Sequence, residues 1–318
     1  GPVCRARRMN RARFIGWAVG VLLLIAAPPL MLALGQPFYV DLVRRIMILA
    51  IAAVSLNLIL GYGGMVSFGH AAYLGIGAYA VGILGFYGIA NGWLHLALAV
   101  VASALVAAAI GAVSIRTSGV YFIMITLAFT QMLYYLGISV AEFGGDDGMR
   151  LKFRSRFPLI DLNNSVQFYY LVLALMLIAV YLTYRIVNSR FGLVLRAAKS
   201  NEARSRAIGF SPYPYRLVAF VIAGAMCGLA GALYGNHTNY ITPGLMSWQQ
   251  SGDIMFMVIL GGMASTAGPV LGAFVLLLLE DLLSGWTEHW QVILGPLLVL
   301  SVIFFRRGLA GILYKPDA

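Results

Sequence analysis

The feature that most constrains the fold is a series of long, almost uninterrupted apolar segments. Several of them exceed the ~20 residues with which an α-helix crosses a bilayer. The 318 residues are 61% hydrophobic and only 10% charged, whereas soluble domains carry ~25% charged residues. Strands of a membrane barrel would instead alternate polar and apolar residues in short segments. The sequence therefore predicts an all-α polytopic membrane protein.

About ten transmembrane helices are predicted from the apolar segments, the first of them broken by Pro28-Pro29. The approximate spans are 14–34, 42–60, 66–88, 94–114, 120–140, 168–187, 216–236, 251–264, 268–284 and 289–305. Cations flank the chain's ends and its middle, which predicts an N-in/C-in topology with a cytoplasmic central loop. The cations of segment 150–156 are an exception to the positive-inside rule, because this topology places them outside. The basic residues behind the net charge of +11 lie mainly in loops and tails. Membrane topology accounts for this distribution, so we exclude a nucleic-acid role.

The chain is predicted to form one permease domain between two short ends. Residues 1–13 are an N-terminal arm, in which Gly1-Pro2 is typical of a protease-cleavage scar and Met9 is a hypothetical native start. Residues 14–312 are the transmembrane domain and 313–318 a C-terminal tail. Cys4 and Cys227 form no predicted disulfide, metal site or redox pair.

A strongly basic segment within residues 188–214 divides the apolar chain into two halves. Between Arg190 and Gly209 it holds several cations and one acid, Glu202. Alanines favour one or two short helices here, and Gly209 followed by Pro212 ends them. Two interpretations fit equally: a structured surface for a cytosolic partner, or an ordinary solvated loop.

The densest unusual segment inside the membrane region is Asn57–His70. Its glycines predict a broken helix, which at membrane depth requires protein or a water-filled cavity around the freed backbone. The segment either lines a transport pathway or forms a tight helix contact, and these are compatible. His70 is predicted to be neutral and to donate to a backbone carbonyl, since no acid is near it in sequence.

Two further glycine patterns carry predictions. Segment 63–67 (Gly-Gly-Met-Val-Ser) is echoed by segment 261–265 (Gly-Gly-Met-Ala-Ser), which indicates either two related halves or chance. Segment 143–149 predicts a flexible turn outside the membrane, in which Asp146 and Asp147 cap the backbone. This turn is either part of an outer docking face or a simple surface turn.

Motifs for chemistry are absent from the sequence. There is no nucleotide-binding P-loop, no Gly-x-Ser-x-Gly, no His-Glu-x-x-His and no metal-ligand cluster. We therefore predict no catalytic residue, no metal and no cofactor on this chain. Uphill transport would need an ion gradient or a partner that supplies energy.

Four stretches together resemble a known family. They are 56–64 running into 67–73 and 77–79, the turn 144–148, the loop positions 191–192, 196–197 and 201–203, and 257–262 followed by 268–273. The chain resembles the permease subunits of branched-chain amino acid ABC importers, nearest to the LivM type, over roughly residues 40–312. The run Ala198-Lys199-Ser200 departs from the Ile-Arg-Glu-like run common there.

The resemblance implies partners and a mechanism. It implies a homologous LivH-like permease, two cytoplasmic ATPases that carry ATP and Mg²⁺, a periplasmic binding protein, and the bacterial inner membrane. The central loop would hold the coupling helix seated on an ATPase, at Arg190, Gly192, Arg196, Ala197, Asn201, Glu202, Ala203 and Gly209. Alternating access would re-aim a pathway at Asn57, Gly61, Gly63, Gly64, Ser67, His70, Gly77, Tyr79, Gly261 and Gly262. The outer docking turn would be Gly144, Gly145, Asp147 and Gly148.

Two alternatives remain open. A stand-alone secondary transporter would use a proton or sodium gradient through His70 or Asp253. A membrane enzyme would need a cluster of acids and histidines at one membrane face, which the sequence lacks. The expected solute is a branched-chain or related amino acid, and the exact substrate stays open because relatives of this family carry other amino acids, urea and amides.

Overall fold

A computed structural model describes residues 11–33, 35–158, 160–287, 289–304 and 308–313. The predicted N-terminal arm up to residue 10, the Arg306-Arg307 pair and residues 314–318 lie outside the described residues. The fold is built almost entirely from helices. Their bounds are α1 Arg11–Ala33, α2 Pro37–Asn57, α3 His70–Phe86, α4 Gly92–Ser114, α5 Val120–Ser139, α6 Ser165–Val187, α7 Arg190–Ser200, α8 Glu202–Ala207, α9 Pro212–Thr238, α10 Trp248–Gly261, α11 Gly268–Ser284, α12 Trp290–Phe304 and α13 Gly308–Leu313.

The membrane class follows from the length and hydropathy of these helices. Five described helices are long and apolar enough to cross a bilayer: α2 with its extension to Tyr62, α4, α5, α6 and α9. Three shorter apolar stretches accompany them, at Ala18–Ala33, His70–Phe86 and Trp290–Leu300. The prediction of an all-α multi-pass membrane protein is confirmed, while the count of ten spans stays a prediction.

Helix α1 continues through Pro28 and Pro29, so the predicted break is wrong. A proline removes one N–H and leaves the carbonyl four residues earlier without its partner. The two freed carbonyls, of Leu24 and Ile25, accept hydrogen bonds from the hydroxyls of Tyr169 and Tyr170 on α6, at 2.8 and 3.1 Å. Donors from a neighbouring helix therefore keep α1 intact, which is how membrane helices tolerate proline.

The centre of the bundle is α2. In its most apolar stretch of 18 residues, 94% of the residues are buried. Helix α9 lies next to α2 and also contacts α3 and α4, so closely that its backbone touches theirs. A Cβ added to Gly77 would lie 2.0 Å from the carbonyl oxygen of Gly228, and one on Gly231 would lie 1.9 Å from that of Leu74. At Gly77, α3 is therefore in tight contact with α9.

A buried arginine ties three helix ends together at one end of the bundle. The guanidinium of Arg44 is 3% exposed and donates to Asp41 Oδ1, Ser165 Oγ and His237 Nδ1, at 2.6, 3.0 and 3.0 Å. It also lies 4.6 Å from the ring centre of Phe168. A buried charge is stable only when its donors are satisfied, so this network fixes the starts of α2 and α6 against the end of α9.

The predicted glycine turn lies at the same end of the bundle and is held by backbone contacts. Strand β1 (Met149–Arg150) pairs antiparallel with β2 (Tyr240–Ile241), and the Tyr240 hydroxyl donates to the carbonyl of Asp147. A Cβ on Gly144 would lie 2.0 Å from the carbonyl oxygen of Gly148. No aspartate side chain caps the turn, so that prediction is wrong: positive φ at Gly144, Gly145 and Gly148 makes the turn without them.

Candidate coupling and gating site

The basic central segment folds into two short helices, as predicted. Ser189 caps the start of α7, and the side chain of Asn201 accepts from the backbone of Arg204 at 2.9 Å to start α8. Gly209 ends α8 with a φ of +89°, a backbone angle that favours glycine. Gly192 has no room for a side chain, because a Cβ would lie 2.2 Å from the carbonyl oxygen of Val187. Three of the predicted coupling residues are thus structural.

One surface of these helices is exposed and mixes apolar with basic side chains. We call it the α7–α8 face. It includes the predicted residues Arg190, Arg196, Ala197 and Ala203. Sequence reasoning missed its largest apolar members, Leu193, Ile208 and Phe210, which are 52%, 67% and 44% exposed. Their signal was bulky apolar residues inside an otherwise polar segment. Such a face beside a membrane domain is a typical protein-docking surface.

Glu202, predicted to contact a partner, instead forms ion pairs within the chain. Its carboxylate accepts from Arg206 at 2.5 Å within α8 and from Arg216 at 2.8 Å at the start of α9. Burial alone would raise the pKa of Glu202, but the two guanidinium groups outweigh it and lower that pKa. Glu202 therefore links α8 to α9, the helix against which α3 and α4 pack.

Lys199 joins α7 to the break at the end of α2. Its Nζ donates to the carbonyl oxygen of Gly61 at 2.6 Å. The last carbonyls of a helix lack internal partners and carry partial negative charge, so an ammonium group stabilises them. The stem of Lys199 runs over Gly64, where a Cβ would lie 2.9 Å from Lys199 Cγ. The unusual run 198–200 thus turns inward: Ala198 is 2% exposed and Lys199 reaches the membrane domain.

The segment after Asn57 is broken, as its glycines predict. Residues Leu58–Tyr62 form a π-helical turn, and no regular helix follows until His70. The side-chain amide of Asn57 spans to the loop after α10: Nδ2 donates to the carbonyl of Ser265 at 2.8 Å, and Oδ1 accepts from the backbone of Ala264 at 3.0 Å. Ala264 has a φ of +61°, which is strained for alanine. One buried amide therefore holds a strained turn.

The two echoed glycine segments share one feature of their backbone. Each follows a helix that has just ended and precedes the next one, and the second glycine of each has positive φ: +71° at Gly64 and +112° at Gly262. At the second segment a Cβ on Gly261 would lie 1.8 Å from the carbonyl oxygen of Gly268. The segments also touch, since a Cβ on Gly61 would lie 2.5 Å from the backbone nitrogen of Ala264.

His70 and Ser67 are both buried within the broken segment. Ser67 Oγ accepts from the backbone of Gly69 at 3.1 Å. His70 Nε2 lies 2.7 Å from Ser55 Oγ, whose own proton goes to the carbonyl of Ala52. The imidazole therefore donates through Nε2 to a hydroxyl, and the prediction of a carbonyl acceptor is wrong. Ser55 on α2 pairs with Nε2, a contact that residue spacing did not reveal, while the buried Nδ1 has no hydrogen-bond partner among the described residues.

The remaining predicted pathway and docking residues lie elsewhere. Gly77 contacts α9, and Tyr79 packs with Ile241 and Met246 near the end of the bundle that carries β1 and β2. The glycine turn at 144–148 lies at that end too. The structure thus brings together Asn57, Gly61, Gly64 and the 261–265 loop with Lys199, and separates Gly77, Tyr79 and the turn from them.

Comparison with known proteins identifies the family. The family described as "Branched-chain amino acid transport system / permease component" matches residues 38–302, most of the chain. This chain belongs to that family. It is a membrane permease.

Individual relatives agree with the family match. The LivM permease protein of Escherichia coli K12 is 28% identical over 92% of this chain and 73% of its own length. A probable LivM protein of Methanocaldococcus jannaschii is 25% identical over 84% and 88%. The E. coli LivH permease protein is 24% identical over 82% and 91%. The relatives thus include both permeases, LivM and LivH, of branched-chain amino acid transport systems. No solved structure matches this chain.

Proposed function

We propose that the chain is one of two permeases in an ATP-driven importer of branched-chain amino acids in the bacterial inner membrane. Its partners would be a LivH-like second permease, two cytoplasmic ATPases that bind ATP and Mg²⁺, and a periplasmic binding protein. Ten spans with both termini inside complete the proposed topology. The chain itself would move solute and catalyse no reaction.

The observation that carries this proposal is the pair of links from the basic helices into the membrane domain. Lys199 connects α7 to the carbonyl of Gly61, and Glu202 connects α8 to Arg216 on α9. A displacement of the α7–α8 face is thereby transmitted to the break in α2 and to the helix that packs α3 and α4. A loop with no mechanical task would need neither link.

The junction of the two glycine segments is the proposed gate. Asn57 holds the 264–265 turn by two hydrogen bonds, and the neighbouring glycines let the two backbones pack in direct contact. Closure of the ATPase dimer would push on the α7–α8 face, shift Lys199 with Gly61, and change which side of the bundle is open. Alternating access of this kind needs an element with two arrangements that nucleotide biases.

The secondary-transporter alternative has less support. His70 is fully buried and hydrogen-bonded to Ser55, an arrangement that suits a structural imidazole more than a proton relay. The family match and the named relatives are permeases of branched-chain amino acid transport systems.

Co-purification of the ATPases tests the proposal most simply. Leu193→Glu adds a charge to the exposed α7–α8 face without touching Glu202 or Lys199. We expect the parent chain to bring down two ATPase chains and the variant to lose them. Asn163→Glu makes a comparable change at an exposed site at the opposite end of the bundle and is the matched control. Equal recovery of ATPase with both variants would contradict docking at this face.

A further inference from the structure

A basic cleft lies at the end of the bundle that carries β1 and β2. Its volume is about 1060 Å³, and it is lined by segment 150–154, by Asn163 and by segment 238–240. Three of the lining residues are cations, Arg150, Lys152 and Arg154, and none is an acid. We call it the 150–154 cleft. Its cations belong to the run that is an exception to the positive-inside rule, so membrane topology does not account for them.

The cations of the cleft contact neutral groups. Arg154 Nε donates to Asn239 Oδ1 at 3.1 Å, and Arg154 Nη1 donates to the carbonyl of Leu162 at 2.8 Å. Lys152 Nζ lies 5.2 Å from the ring centre of Phe86. The ion pairs found within the described ranges all involve other cations. These contacts orient the cationic groups and leave their charge uncompensated.

The acids of the neighbouring segments are engaged elsewhere. Asp161 accepts from the backbone nitrogen and from Nδ2 of Asn163, at 2.9 and 3.0 Å. Asp41 pairs with Arg44 at 2.6 Å. Neither acid is among the residues that line the cleft. A concave surface lined by charges of one sign concentrates ions of the opposite sign, so the cleft attracts an anion.

The cleft lies at the level where membrane helices leave the bilayer. Helix α6 has 23 residues, a length of about 34 Å, and begins two residues after Asn163. Helix α9 is longer still and ends at Thr238, which lines the cleft. The apolar core of a bilayer is only ~30 Å thick. Tyr87 and Tyr240, 63% and 43% exposed at this end, are of the residue type that is enriched among lipid headgroups.

We propose that the 150–154 cleft binds the phosphate of an anionic phospholipid such as phosphatidylglycerol. Arg150 and Lys152 donate to the phosphate oxygens, because guanidinium and ammonium groups both pair well with phosphate. Leu151 and Phe153 line the same cleft and lie against the glycerol and the first carbons of the acyl chains. A bound phosphate explains why cations stand at this end of the bundle. This inference goes beyond the proposed function and does not depend on it.

Titration of lipid into the purified permease complex, followed by native mass spectrometry, tests the site. The variant is Arg150→Gln with Lys152→Gln, which removes two exposed cations and leaves the hydrogen bonds of Arg154 in place. Arg156→Gln is the matched control, because Arg156 is exposed in the same run and is not among the residues that line the cleft. One cation near an anionic lipid surface contributes about fivefold in affinity. We expect the double variant to bind phosphatidylglycerol at least tenfold more weakly than the parent, and the control to stay within twofold.

Each of four results would overturn this site. The first is phosphatidylglycerol binding by the double variant within twofold of the parent. The second is equal affinity of the parent for phosphatidylglycerol and for zwitterionic phosphatidylcholine. The third is displacement of the lipid by inorganic phosphate, at an ionic strength matched with chloride, which would assign the cleft to free phosphate. The fourth is a double variant that keeps its lipid and loses a loaded periplasmic binding protein, which would make the cleft a protein-docking surface.

Discussion

Replacing Lys199 with methionine isolates the link between the basic helices and the membrane domain. Methionine keeps most of the apolar stem that runs over Gly64 and removes the ammonium group that donates to Gly61 at 2.6 Å. A hydrogen bond from a charged group contributes ~1.5–3 kcal/mol, and the partial exposure of Lys199 favours the lower end of that range. About 1.4 kcal/mol corresponds to tenfold. We therefore expect coupling to fall roughly tenfold.

The assay is the number of leucine molecules taken up per ATP hydrolysed, measured in proteoliposomes with all partner chains. Lys199→Met should lower this ratio while ATP hydrolysis and recovery of the ATPases stay at parent levels. Lys199→Arg keeps a cation and should retain more than half of the ratio. A parent-like ratio in Lys199→Met would refute the link, and loss of the ATPases would instead place Lys199 on the docking face.

Three further predictions concern the supports of the site. Asn57→Leu removes both hydrogen bonds to the 264–265 turn, which together contribute about 1–3 kcal/mol of stabilisation. Uptake should slow while the ATPases stay bound. Normal uptake would show that this junction is not the gate. The double variant Tyr169→Phe, Tyr170→Phe leaves two carbonyls of α1 unpaired and should lower the thermal unfolding temperature by several degrees. An unchanged unfolding temperature would show that the two hydroxyls do not stabilise α1 at its prolines. Glu202 has a pKa below its ordinary 4.5, so its ion pairs are fully present above that pH and are lost as the pH falls through the lowered pKa. The protection of α8 amides against hydrogen exchange, corrected for the intrinsic pH dependence of exchange, should fall there in the parent and be low at every pH in Glu202→Gln.

Composition and periodicity predicted the parts of the fold that depend on local chemistry. Continuous apolar runs indicated the helices, and the glycines after Asn57 indicated the break, because both properties reside in the segment itself. Gly209 likewise marked the end of α8. The helix through Pro28 and Pro29 was mispredicted because its two donors come from α6.

Contacts between distant segments were beyond the reach of the sequence. Lys199 meets Gly61, and Asn57 meets Ala264, only because the fold places α7 and the loop after α10 at the same end of α2. Glu202 was correctly placed in the basic segment, yet its role depends on Arg216 in another helix. The spacing of residues revealed which segments were unusual, and the pairing of those segments needed the three-dimensional arrangement.

The most direct test of an ATP-driven permease is leucine uptake by reconstituted transporter in vesicles without any ion gradient. The account predicts that ATP, supplied to the ATPase side together with loaded binding protein, drives uptake that ionophores leave unchanged. Uptake that needs a proton or sodium gradient and continues after removal of the ATPases would contradict it.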